Sequence, residues 1–214
     1  MLFDRSSRLG RRAIRIGISL AVAAVVIPLG TMSADSAVAG ARHAPKPTIV
    51  LVHGAWADGS SWSGVAKRLQ RDGYPVEVAP NPLRGLSSDA AYLRDYLAGI
   101  SGPIVLVGHS YGGAVITNAA TGNANVSTLV YVDAFIPDIG QVVAQLAGPD
   151  SLLAPSAIDP TSVFKLVPYP GAPSGVVDTY VLRDVFIAGF AADLPRWQAA
   201  VLAVSQSPTS DRGG

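Results

Sequence analysis

Residues 103–116 read PIVLVGHSYGGAVI, and this stretch decides the fold. An apolar, β-branched run meets Gly108, His109 and Ser110, then leaves through Gly112 and Gly113 into a helical pattern. A serine hydroxyl is a poor nucleophile until a base takes its proton, and the attack that follows needs donors for an oxyanion. The spacing of Gly108, Ser110 and Gly112 supplies a shape for that chemistry. A sharp strand-to-helix turn strains the backbone at the serine, and side chains two residues to either side would collide, so both positions are glycine. The serine then stands above a sheet edge at a helix N-terminus, where the Tyr111 amide faces developing negative charge. Gly113 gives the helix room to pack. No lysine follows the glycines as a phosphate-binding loop requires, and no dinucleotide-type glycine spacing is present.

Working outward, TIVLVHG (48–54) is a continuous apolar run of the kind buried on both faces of a sheet. Residues 61–72 place Trp62, Val65, Ala66 and Leu69 on one helical face, and Gly73 closes that helix. YPVEVAP (74–80) is a second strand. Ser87, Ser88 and Asp89 read as the cap of a second helix with Tyr92, Leu93, Tyr96 and Leu97 inward. Residues 111–121 form a third helix and VSTLVYVDAF (126–135) a fourth strand, with no charge or bulge signal to block its edge. Strands alternating with helices imply an α/β fold: a mostly parallel sheet with helices on both faces. From Pro137 the rhythm changes to Pro, Gly and mostly helical patterns, which reads as a cap. In such sheets ligands bind beyond the carboxyl ends of the strands, so His53-Gly54-Ala55-Trp56 and the serine turn share one crevice. The Ala55 amide is then placed as a second oxyanion donor beside that of Tyr111.

The three histidines of the chain are His43, His53 and His109, and it has no cysteine. That excludes a disulfide framework, a thiolate metal site and a cysteine nucleophile. Residues 1–39 carry five arginines against Asp4 and Asp35, whereas residues 40–214 carry eleven basic and thirteen acidic side chains. The body has no basic excess to hold a phosphate backbone, which argues against nucleic acid as a partner. The uncharged stretch at 16–30 would rise about 22 Å as a helix, short of the roughly 30 Å of a hydrocarbon core. Ala37-Val38-Ala39 follows as a signal-peptidase pattern. We read 1–39 as a signal peptide, of the general secretory rather than the twin-arginine kind, and the mature protein as secreted or in the cell envelope with no stable membrane partner. Residues 40–47 are a linker, 48–137 the core, 138–204 the cap and 205–214 a tail.

VLVHGAWADGSSW, VLVGHSYGG and VYVDAFIPD together resemble the α/β-hydrolase superfamily. The likeness is strongest to its small-lid branch of bacterial esterases, plant methyl-ester esterases and hydroxynitrile lyases, and it covers about residues 48–204. The resemblance implies the α/β-hydrolase fold, Ser110 as nucleophile, Ala55 and Tyr111 as oxyanion donors, a helical lid over 138–204, and no metal or organic cofactor. Glycine at position 54 argues against the lyases, which tend to replace it. The implied reaction is hydrolysis of a small hydrophobic carboxylic ester through an acyl-enzyme, the lid residues Val142, Leu146, Phe164, Tyr180, Phe186, Phe190 and Trp197 suggesting the apolar substrate.

The family order of nucleophile, acid and then histidine is not completed here. No histidine follows Ser110, and the last strands of the fold are missing, so the chain reads as truncated after its lid. His43 starts about 20 Å from the crevice at the wrong end of the first strand. His109 must point away from its neighbour, and His53 is held in its turn. Asp133 is the one acid in a plausible place, although it also reads as a hinge residue; Asp211 falls in the tail. An impaired esterase is thus the leading expectation. A non-catalytic, ligand-binding remnant of the fold and a hydroxynitrile-lyase-like enzyme are the alternatives.

Overall fold

The computed structural model describes residues 45–211, so the signal-peptide reading of 1–39 and His43 lie outside the described residues. Four parallel strands, β1 (Thr48–Val52), β2 (Val76–Ala79), β3 (Ile104–Ser110) and β4 (Val126–Ala134), lie in the order β2-β1-β3-β4. Helices α1 (Ser63–Arg71), α2 (Leu86–Ala98) and α3 (Tyr111–Ala119) connect them. Alternation along β1 explains why its run is wholly apolar. Ile49 and Leu51 pack with Trp62 and Val107 on the α1 side, while Val50 and Val52 join Leu93, Leu97, Val115 and Ile116 on the other. Both faces are covered, as parallel strands require. From β1 the chain turns to one side for β2 and returns on the other for β3, so a crevice opens at the carboxyl ends of β1 and β3.

β4 differs from the expectation of a smooth edge. Its register against β3 shifts between Ile104 and Val105 and again between His109 and Ser110, the second shift falling where Asp133 takes φ +40°. Leu129 and Tyr131 pack against the core, and Val130 and Val132 on the other face are 38% and 39% exposed. In α2 the start is Leu86 rather than a serine cap, with Gly85 at φ 136°. Asp89 instead reaches back from the first turn and accepts from the amides of Arg84 and Gly85. Tyr92 faces water, because the inward stripe follows Asp89, Leu93 and Leu97.

The cap contains less helix than its sequence suggests. Strands β5 (Phe164–Val167) and β6 (Asp178–Val181) form an antiparallel hairpin, and β7 (Thr209–Ser210) adds to β6. The Pro- and Gly-rich 168–177 makes the connection, with Gly171 and Gly175 at positive φ. A short α4 (Arg183–Val185) runs into a π-type turn at Phe186–Phe190, and α5 (Arg196–Val204) follows. The tail does not hang free either. Gln206 pairs with the Val181 backbone like a strand residue, accepting at 2.9 Å and donating at 2.9 Å. Asp211 accepts from the Val177 amide.

Candidate active site

Ser110 joins β3 directly to α3 with φ 53° and ψ −125°, a conformation that side chains rarely adopt. The glycines around it are demanded by contact. A Cβ on Gly108 would lie 2.6 Å from the Gly112 carbonyl oxygen, and one on Gly112 would lie 2.7 Å from that of Val52. Gly113 backs onto Ala134 and Phe135 at the end of β4. Gly54 is the fourth contact: a Cβ there would lie 2.8 Å from the Ser110 Cβ. The turn after β1 and the serine elbow therefore touch, as the shared-crevice argument expects. Phe135 donates its amide to the Ser110 carbonyl at 3.1 Å, which fastens the elbow to β4.

Tyr111 opens α3, so its amide has no carbonyl one turn back to bond. Its ring is buried, and its hydroxyl donates to Asp89 at 2.8 Å. Burial first, then the Asp89 charge, push this phenol well above its ordinary range. On the other side of the crevice, His53 is buried and its Nδ1 lies 3.0 Å from the Gly54 carbonyl. A carbonyl can only accept, so Nδ1 carries the proton. Asn81 donates to the His53 carbonyl at 2.9 Å. Burial holds the His53 imidazole below the usual histidine range, which keeps it neutral. The ring belongs to the scaffold of the turn after β1.

His109 turns away from the serine and meets Trp62 edge-on, with ring centroids 6.5 Å apart. Burial lowers its pKa, while the nearby Asp133 charge opposes that shift. Asp133 is exposed at the β4 bulge. The structure thus brings together Ser110, Gly108, Gly112 and the turn after β1, and it gives neither described histidine a hydrogen bond to Ser110. Of the lid residues read as pocket walls, Phe164, Phe186 and Phe190 gather around Trp56. Phe190 is itself partly exposed at the edge of this group, and Val142, Leu146 and Trp197 are exposed as well. Asn81 and the contacts of Trp56 were not singled out from sequence, and Asp89 was read only as part of a helix cap. For Asp89 a signal existed, a carboxylate in register with Leu93 and Leu97 on an inward stripe.

A family profile described as "Alpha/beta hydrolase family" matches residues 49–213. A carbendazim hydrolyzing esterase from Nocardioides sp. (strain SG-4G) is 35% identical over 126 residues, which are 52% of this chain and 48% of that protein. The chain thus spans about half the length of that curated relative. Among solved structures, an extracellular α/β-hydrolase from a Paenibacillus species superposes with a TM-score of 0.61 at 24% identity, over 76% of this chain and 66% of that one. Its description notes structural and functional homology to tobacco salicylic acid binding protein 2. Tomato methylketone synthase I superposes with a TM-score of 0.62 at 19% identity, over 78% of this chain and 69% of that one. At these identities the two structures speak for the fold.

Proposed function

The chain belongs to the α/β-hydrolase family, and from that premise we propose that Ser110 is the nucleophile of a carboxylic ester hydrolase. The observation that carries this is the left-handed φ of Ser110 at a strand–helix junction, walled by glycines that no larger residue could replace. Ser110 Oγ attacks the ester carbonyl carbon. The oxygen that gains the charge accepts from the Ala55 and Tyr111 amides, the alcohol leaves with a proton, and water releases the acid from the acyl-enzyme. The named activity of the Nocardioides relative supports an ester or closely related acyl substrate. The aromatic group of Trp56, Phe164, Phe186 and Phe190 beside the oxyanion turn supports a small hydrophobic one. Export through residues 1–39 is part of the same reading, and N-terminal sequencing of the secreted protein should then begin near Gly40.

Residues 45–211 hold a nucleophile and its oxyanion donors without a placed base. With those alone, triad enzymes retain roughly 10³–10⁴-fold acceleration over water. Hydrolysis of a short-chain p-nitrophenyl ester by this chain should therefore be slow. That no base meets Ser110 among the described residues is the observation behind the second reading, a hydrolase-fold protein that binds a small ligand without turning it over. A fluorophosphonate probe with peptide mapping tests the nucleophile directly: Ser110 should be labelled slowly, and Ser110→Ala should not be. A rapid turnover that survives Ser110→Ala would remove the assignment.

A further inference from the structure

Trp56 follows Ala55 in the oxyanion turn and holds φ +54° without being glycine. Its contacts explain how that conformation is kept. Its backbone amide donates to Thr209 Oγ1 at 3.0 Å, across 153 residues of sequence. Its indole Nε1 donates to Thr179 Oγ1 at 3.0 Å. The same Thr179 hydroxyl donates to the Thr209 carbonyl at 2.8 Å, and Thr179 and Thr209 are register partners across β6 and β7. The ring is closed from one side by Phe164, stacked at 5.2 Å. The Ala55–Trp56 peptide is thus pinned by both its amide and its side chain. It is the immediate neighbour of the Gly54–Ala55 peptide, whose N–H is an oxyanion donor of the proposed function.

We propose that Thr209 is a positioning residue for the oxyanion turn: its hydroxyl fixes the Ala55–Trp56 peptide, with Thr179 bracing both, so that the Ala55 amide keeps its aim. The inference rests on the nucleophile reading above and extends it to the strand pair β6–β7. Oxyanion donors work because they are aimed before charge develops, and removal of one costs about 10²–10³ in rate. A donor that is kept but loosened loses less, on the order of tenfold.

The experiment compares Thr209→Val, which keeps the shape and removes the hydroxyl, with Thr209→Ser, which restores it. The probe is a fluorophosphonate used on the full chain at several concentrations. In the labelling step the Ser110 O–P bond forms, the P–F bond breaks, and fluoride and the hydroxyl proton leave to solvent. Thr209→Val should lower the maximal labelling rate about tenfold while the half-saturating probe concentration stays within about twofold, and Thr209→Ser should label at close to the parent rate. Thermal midpoints taken alongside identify any loss of fold. If Thr209→Val does not fold, Thr179→Val, which removes the brace and keeps the Thr209 hydroxyl, should show a smaller loss of the same kind. A parent-like rate in Thr209→Val, or a Thr209→Ser as slow as it, overturns the inference while leaving the nucleophile standing. A parent chain labelled elsewhere than Ser110 overturns both.

Discussion

The link between Tyr111 and Asp89 is open to a quantitative test. Asp89 is fully buried, and its carboxylate accepts from the Tyr111 hydroxyl at 2.8 Å, the Arg84 amide at 3.0 Å and the Gly85 amide at 3.3 Å. A hydrogen bond to a charged group contributes about 1.5–3 kcal/mol, and the shortest of the three should lie in that range. Tyr111→Phe preserves the ring and removes only the donor, so it should destabilise the fold by about 2 kcal/mol. Asp89→Ala strands two amides and the phenol together and should cost about 3–5 kcal/mol. Once Asp89 is gone the hydroxyl has nothing left to bond, so Tyr111→Phe in that background should cost much less. The double-mutant cycle should return a coupling of at least about 1 kcal/mol. Urea unfolding reads all four proteins. With m near 2 kcal/mol/M for a domain of this size, Tyr111→Phe should lower the midpoint by about 1 M. A midpoint within about 0.2 M of the parent, with m unchanged, would refute the reasoning.

Five further outcomes follow from the same geometry. Gly108→Ala forces a Cβ to 2.6 Å from the Gly112 carbonyl oxygen and should cost about 3 kcal/mol or more in unfolding experiments. Gly64→Ala, in α1 with nothing within 4 Å of the added Cβ, should stabilise by about 0.5 kcal/mol. Ser110→Gly relieves the φ 53° strain and should raise stability by about 1 kcal/mol while abolishing labelling by the fluorophosphonate. Tyr96 donates to Glu77 at 2.7 Å, and burial, then Glu77, push its pKa up to about 12. The unfolded chain releases that proton near pH 10, so this contribution is complete below about pH 10 and is lost as the pH rises through the folded value. Urea midpoints should fall over that window, and Tyr96→Phe should flatten part of the fall; identical slopes would contradict the assignment. Last, the half-exposed Val132 on the edge strand β4 should promote association, so Val132→Lys should reduce light scattering at a given concentration.

What could be read in advance was what is local in the chain. The elbow announces itself within six residues, and the steric demand on Gly108 does come from Gly112 and Gly113 in the same turn, whereas that on Gly112 comes from the Val52 and His53 carbonyls at the end of β1. The strands β1 and β3 are legible because burial on both faces leaves their runs at 49–52 and 104–107 wholly apolar. The cap was less legible. Strands of four residues such as Phe164–Val167 are too short for a period to emerge, and the alternation in Asp178–Val181 is hidden because Asp178 and Thr179 are both buried polar groups. Asp178 is held there by Arg84 at 2.6 Å, across 94 residues. Asn81, reaching the His53 carbonyl 28 residues away, and Thr209, reaching Trp56, belong to the same class. Their roles exist only after the chain has folded, so no spacing within a segment carries them.

The strained residues show how the fold concentrates its cost. The four non-glycine residues at positive φ among those described are Trp56, Leu83, Ser110 and Asp133. Each lies at or just beyond the carboxyl end of one of the four parallel strands, the edge at which such sheets bind ligands. Strain of this kind costs of order 1–3 kcal/mol per residue and persists only where the surroundings over-determine it. For Ser110 the constraint is the glycine cradle and the Phe135 amide. For Trp56 it is Thr209 and Thr179. Leu83 is buried to 1% exposure, and its carbonyl accepts the Ser210 amide at 2.9 Å. Two of the four strained positions are therefore held by consecutive residues of one two-residue strand, Thr209 and Ser210. β7 is short, but it joins the β5–β6 hairpin to the turns after β1 and β2, which ties the geometry of the candidate oxyanion turn to a segment far from it in sequence.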